Sequence, residues 1–251
     1  MAKSDIETGV GGGNELYPNM KESSELRWAF IRKVYTILSL QLLLTVGVSS
    51  VFFFVRPIPV FITETTPGIV VLFVILLLPL FLMWPLLAFE KKHPINCIVL
   101  TIFTLSISFA VGICCSDALS PKVMDGYLCS LGRIVMGAAI LTAAMVFGLT
   151  IYTFWAVKRG HDFSFLGPFL FGSLLIILVF TLLQIYYPLG KLTSMIFSGV
   201  ASIVFCGYII FDTDQLIKKL NYDEYIIAAI RLYLDVMNLF LNLLGIMSNG
   251  Q

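Results

Sequence analysis

The chain has 251 residues, of which 59% are hydrophobic and only 12% charged. Soluble domains carry roughly a quarter charged residues, so this composition excludes a water-compatible surface and makes lipid the main solvent. With 16 basic and 15 acidic residues the net charge is +1, and no bulk basic field for nucleic acid exists.

Residues 1–32 are polar, include the run Gly11-Gly12-Gly13 and hold no apolar core before a cleavage site. They read as a flexible cytosolic tail, and Ala2 stands where myristoylation needs glycine. Residues 33–251 read as one membrane domain without an internal repeat. A crossing helix needs about 20 apolar residues. The runs that meet this are Val34–Phe54, Ile69–Ala88, Ile95–Cys115, Ile134–Trp155, Phe165–Tyr187, Leu192–Phe211 and Tyr225–Met247. The fold expected is an all-α integral membrane bundle of seven transmembrane helices.

The breaks between runs have physical causes. Arg56-Pro57 and Pro59 stop the first helix, and Pro79 and Pro85 should kink the second. Glu90-Lys91-Lys92-His93-Pro94 and Lys158-Arg159-Gly160-His161-Asp162 are polar connections, and Tyr187-Pro188-Leu189-Gly190 makes a tight turn. Asn221 with Glu224 three residues on predicts a capping box that opens the seventh helix. Small residues cluster in the fourth helix (Gly137, Ala138, Ala139, Ala143, Ala144, Gly148) and the sixth (Ser198, Gly199, Ala201, Ser202), where they permit close packing. Eleven basic residues fall before the first helix or in the even-numbered connections, against four on the other side. The positive-inside rule therefore puts the N-terminus in the cytosol. Seven full crossings put the C-terminus outside, and a re-entrant last segment would return it. The five cysteines form no CxxC pair, and pairing of Cys115 with Cys129 is left open.

The seventh run carries residues that lipid does not tolerate. A charged side chain at mid-membrane costs about 2.5–3.5 kcal/mol on insertion scales, so such groups face a bundle interior or a cavity. Arg231, Asp235, Asn238 and Asn242 fall within an arc of about 60° at roughly 100° per residue. This stripe predicts a helix surrounded by the others. Its bland reading is an Arg231–Asp235 pair at i,i+4 with asparagines as helix glue. Asp212 ends the sixth run, and Asp214 after it reads as solvated. Sixth and seventh helices run in opposite directions, so Asp212 and Asp235 are expected at similar depth and within hydrogen-bond reach or one bridging water, roughly 2.6–5 Å apart. Two such carboxyl groups share a proton and titrate in separate steps, which makes them a pH sensor. They also offer hard oxygens to calcium, loosely enough for an ion that must leave again.

Tyr208-Ile209-Ile210-Phe211-Asp212-Thr213-Asp214, Asp223-Glu224-Tyr225-Ile226 and Leu232-Tyr233-Leu234-Asp235-Val236-Met237-Asn238-Leu239-Phe240 resemble the signature of the transmembrane Bax inhibitor motif family. Asp162-Phe163-Ser164-Phe165-Leu166, and His93-Pro94-Ile95-Asn96 before Leu105-Ser106, resemble its lifeguard branch, including plant members. The resemblance covers about Arg27 to the C-terminus. It implies a seven-helix fold with the last helix central and a pH-sensitive calcium leak through internal membranes. It implies suppression of programmed cell death and stress signalling as well. The family's di-aspartyl pair maps onto Asp212 and Asp235, which would meet calcium weakly and transiently; no tightly bound cofactor is expected. A bacterial-type member has a basic latch partner in its second helix. No Lys or Arg lies between Ile69 and Phe89, and Arg231 is the substitute considered.

Other classes fit less well. An intramembrane aspartyl protease carries Gly-x-Gly-Asp, whereas Asp235 follows Leu232-Tyr233-Leu234. His93 and His161 are the two histidines, which excludes a His-Glu-x-x-His zinc protease. Neither Asp-Arg-Tyr nor Asn-Pro-x-x-Tyr marks a seven-helix receptor. The chain is therefore expected not to be an enzyme. The standing alternative to a channel is a non-conducting adaptor that acts through cell-death regulator proteins. Endoplasmic reticulum, Golgi, vacuole and plasma membrane all remain open as its location.

Overall fold

The computed structural model describes residues 24–55, 57–88, 95–117, 128–187 and 190–250. The regular elements among them are helical: α1 Ser24–Phe54, α2 Pro57–Glu64, α3 Thr66–Ala88, α4 Ile95–Asp117, α5 Leu128–Lys158, α6 Leu166–Tyr186, α7 Lys191–Lys218 and α8 Tyr225–Asn249. All but the short α2 are long and apolar enough to cross a membrane, which makes seven. α8 is one unbroken helix of 25 residues, about 37 Å at 1.5 Å per residue. It exceeds the roughly 30 Å hydrocarbon core, so no re-entrant hairpin forms.

The bundle is built around this last helix. α8 packs against α7, α5, α1 and α4. In its most apolar stretch 61% of residues are buried, against 6% in α6. Tyr233, Ile226, Ala229 and Leu239 are fully enclosed. The outer helices present the opposite pattern: Trp84, Phe81, Phe169, Ile176 and Ile203 are exposed apolar groups suited to lipid. Charge thus goes to the centre and hydrocarbon to the rim.

Several boundaries differ from the apolar runs. α1 starts at Ser24, so residues 24–32 belong to the helix and not to a tail. Arg27, Phe30 and Ile31 are buried there, and the Arg27 guanidinium donates to the Leu220 carbonyl at 2.6 Å. α7 continues seven residues past Phe211 to Lys218, which puts Asp212 inside the helix. Counting apolar residues misses this last stretch because Asp212, Thr213 and Asp214 are polar and yet buried. The capping box forms: the Asn221 amide donates to Glu224 Oε2 at 2.8 Å, and the pair opens a 3-10 turn, Tyr222–Glu224, that leads into α8. Pro79 and Pro85 both lie inside α3. Cys115 is a buried free thiol; the side chain of its suggested partner Cys129 lies outside the described residues, as do Pro188-Leu189 and residues 89–94.

The small residues divide in two. Ala138, Ala201 and Ser202 are buried, and a methyl at Gly137 would meet the Met247 side chain at 2.6 Å. Ala139, Ala143 and Ala144 face outward. The tightest glycine is elsewhere, at the α2–α3 corner. Thr65 Oγ1 accepts from the Gly68 amide at 3.1 Å and so caps α3. A Cβ on Gly68 would collide with the Phe61 carbonyl oxygen and fall 2.7 Å from Ile62 Cα, both backbone atoms.

Gly68→Ala is accordingly expected to destabilise the fold by about 1–3 kcal/mol, the usual cost of overpacking. Gly199→Ala, whose new methyl meets nothing within 4 Å, is expected to leave stability unchanged. Unfolding of both purified variants in detergent, followed by tryptophan fluorescence, checks the contrast.

A paired-carboxylate site on the central helix

α7 and α8 form a helical hairpin joined by residues 219–224, which brings Asp212 and Asp235 to similar depth. Asp212 is 8% and Asp235 6% exposed. Their carboxyl groups lie close enough to interact directly with each other. A carboxylate only accepts, so a hydrogen bond between the two would need a proton on one of them. Asp235 Oδ2 is buried and has no hydrogen-bond partner. Tyr208, one turn before Asp212, lies within electrostatic reach of both carboxyl groups.

The rest of the stripe behaves differently. Arg231 is exposed. It acts on both carboxyl groups through the field but forms no ion pair with either among the described residues. The i,i+4 pair with Asp235 considered from the sequence is therefore not made. Asn238 and Asn242 are half-buried, and their amides turn back to the Leu234 and Asn238 carbonyls of the same helix at 2.9 and 2.8 Å. Their amide donors are used within α8, and among the described residues neither bonds across to another helix.

A second buried polar group lies on the side of α8 toward α1 and α4. The Tyr233 hydroxyl is 2.8 Å from Thr45 Oγ1, Ser108 Oγ donates to Thr45 Oγ1 at 3.0 Å, and Gln41 Nε2 donates to Thr104 Oγ1 at 3.0 Å. Tyr233 and Asp235 are two positions apart, so they leave α8 on nearly opposite sides. The central helix is thus held by polar contacts on both flanks.

The sequence matches the family described as inhibitor of apoptosis-promoting Bax1 over residues 27–251. The chain belongs to the Bax inhibitor family. Its similarity places it in the lifeguard branch: it is 82% identical to Protein LIFEGUARD 1 of Arabidopsis thaliana over 99% of this chain and 100% of that one. It is 38% identical to Protein lifeguard 4 of Mus musculus, over 88% of this chain and 85% of that protein. A Golgi anti-apoptotic protein of vaccinia virus (strain Lister) is also 38% identical, over 90% of this chain and 87% of its own.

Two features of this Bax inhibitor chain escape a reading based on apolar runs. The first is the Gln41–Thr45–Thr104–Ser108–Tyr233 cluster; its signal is polar pairs at i,i+4, one turn apart, in both α1 and α4. The second concerns Asp214. It is not solvated: its side chain is 0% exposed, and Lys218 Nζ lies 2.6 Å from its Oδ1. The α5–α6 loop covers it, with the Phe163 amide close by. In that loop Asp162 is exposed, and the Ser164 hydroxyl and amide, helped by Lys218, hold its carboxyl below the usual range. That contribution is complete above the ordinary carboxylate pKa of about 3.9 and is lost as pH falls through the lowered value.

Tyr233→Phe removes one hydroxyl from the second cluster without opening a cavity. It is expected to cost about 0.6 kcal/mol, the mean measured for hydrogen bonds between membrane helices, and no more than about 1.7 kcal/mol. Unfolding in bicelles by titrated dodecyl sulfate reads that difference.

Proposed function

We propose that this chain is a pH-sensitive calcium leak channel of an internal membrane that restrains programmed cell death and stress signalling. The observation that carries the reading is the buried Asp212–Asp235 contact across α7 and α8, with one carboxylate oxygen left unpartnered. Calcium takes 6–8 oxygens, so two carboxyl groups with carbonyls and water would hold it loosely, as conduction requires. The shared proton and the ion compete for the same oxygens. Gain or loss of that proton changes the charge against which α8 packs, and a two-state helix arrangement responds to a difference of a few kcal/mol. The direction in which acid raises the leak comes from the family resemblance, because loss of charge alone would also weaken calcium binding.

Family membership and the viral relative's name, a Golgi anti-apoptotic protein, support the cell-death role and an endomembrane location. The excess of basic residues before and in the first turns of α1, and at the α3–α4, α5–α6 and α7–α8 junctions, supports a cytosolic N-terminus. The pair then lies in the cytosolic half of the bundle and meets cytosolic pH. No catalytic step belongs to this reading.

Calcium flux into liposomes containing the purified protein tests it. The wild type should leak faster as the bath on the basic side is acidified, and Asp212→Asn and Asp235→Asn should give pH-independent flux. A wild type that passes no calcium would overturn the channel and favour an adaptor acting through protein partners. Variants that keep the wild-type pH profile would reduce the pair to a structural contact.

A further inference from the structure

The α5–α6 loop is shaped before it is fastened. Gly160 ends α5 in the left-handed region at φ 83°, with its amide on the Val157 carbonyl and that of His161 on the Ala156 carbonyl, at 2.9 and 3.1 Å. This double bond is a Schellman closure, which glycine favours. Two residues on, the Ser164 amide and hydroxyl both donate to Asp162 Oδ1, at 3.1 and 2.8 Å. Phe163 leans on Tyr152 of α5 with ring centroids 6.2 Å apart.

Two adjacent lysines at the end of α7 then hold this preformed loop. Lys218 Nζ meets the His161 carbonyl at 2.7 Å, Asp162 Oδ1 at 3.3 Å and Asp214 Oδ1 at 2.6 Å. Lys219 Nζ donates to Ser164 Oγ at 2.8 Å. One ammonium thus joins a fully buried carboxylate on α7 to an exposed one on the loop. Asp214 stands two residues from Asp212, so their side chains leave α7 about 160° apart. One side of this turn faces α8 and the carboxyl pair; the other faces the loop.

We propose that the α5–α6 loop is a strap, fastened by Lys218 between Asp162 and Asp214, that fixes the end of α7 and so positions Asp212 against Asp235. Lys218 and Asp162 are positioning residues; neither touches the pair. A helix end free of the strap would rotate or fray, and Asp212, within two turns of it, would move with it. The flux consequence rests on the calcium-leak reading; the structural consequence does not.

The test uses Asp162→Asn, which keeps the size of an exposed side chain and should not impair folding. A second variant, Asp214→Asn with Lys218→Met, removes the clamp without leaving a buried charge unpaired. Hydrogen exchange of the full chain in nanodiscs is the first readout. Amides in residues 161–166 and 213–218 should exchange about tenfold faster in both variants, as expected when a local unit opens more often. The infrared band of the protonated carboxyl pair, assigned by its loss in Asp235→Asn, is the second and should shift or broaden. Liposome calcium flux should rise about threefold, the size of a modest population shift. Unchanged exchange would overturn the strap. Faster exchange with an unmoved carboxyl band would overturn its positioning role. A wild type without flux would sink the channel reading, while exchange and the carboxyl band would still decide this one.

Discussion

A helix that carries a carboxyl group near its middle cannot sit against hydrocarbon, and the rest of this bundle is arranged to spare α8 that contact. Asp235 meets Asp212 on one flank, and on the other Tyr233 meets Thr45, which also accepts from Ser108. Each polar atom satisfied inside the bundle avoids a cost of several kcal/mol in lipid. The outer helices need no such protection and carry mostly apolar side chains to the rim. The architecture inverts a soluble protein in one respect: a helix with a polar stripe is its most buried span.

The carboxyl pair also depends on how the α7–α8 connection sets the two helices. Hydrogen-bond contact between two side chains on different helices fixes their relative rotation and height to within about an ångström. The connection supplies that control through consecutive devices: the i,i+4 pair Asp214–Lys218, the Asn221–Glu224 box, and Lys33 of α1 over the Tyr225 ring at 3.3 Å. None of them needs the carboxyl pair in order to form.

Most of the architecture was legible in composition, because runs of some twenty apolar residues have few alternatives in a chain this poor in charge. The ends of α1 and α7 were not. Both are amphipathic stretches buried by other protein elements, and an apolar count cannot distinguish such a stretch from a solvated tail. Arg27 and Asp214 read as solvent-facing on residue type, and only tertiary contacts enclose them. The pairing of Asp212 with Asp235 could be anticipated from antiparallel helices and helical periodicity. The self-satisfied state of Asn238 and Asn242 could not, since an amide bonding to its own helix and one bonding across leave the same pattern in sequence.

The clasp between Arg27 near the start of α1 and the Leu220 carbonyl just after α7 spans 193 positions. Its consequence belongs to biosynthesis. The helix that fills the centre of the bundle leaves the ribosome after the other seven, and the first helix is bonded to the segment just before it. Until that late segment is inserted, Thr45 and Asp212 lack the partners that α8 gives them in the finished bundle. Helix insertion and helix assembly are separable stages in membranes. Assembly around the centre therefore waits for α8, and a ribosome that stops before it releases these helices without their axis.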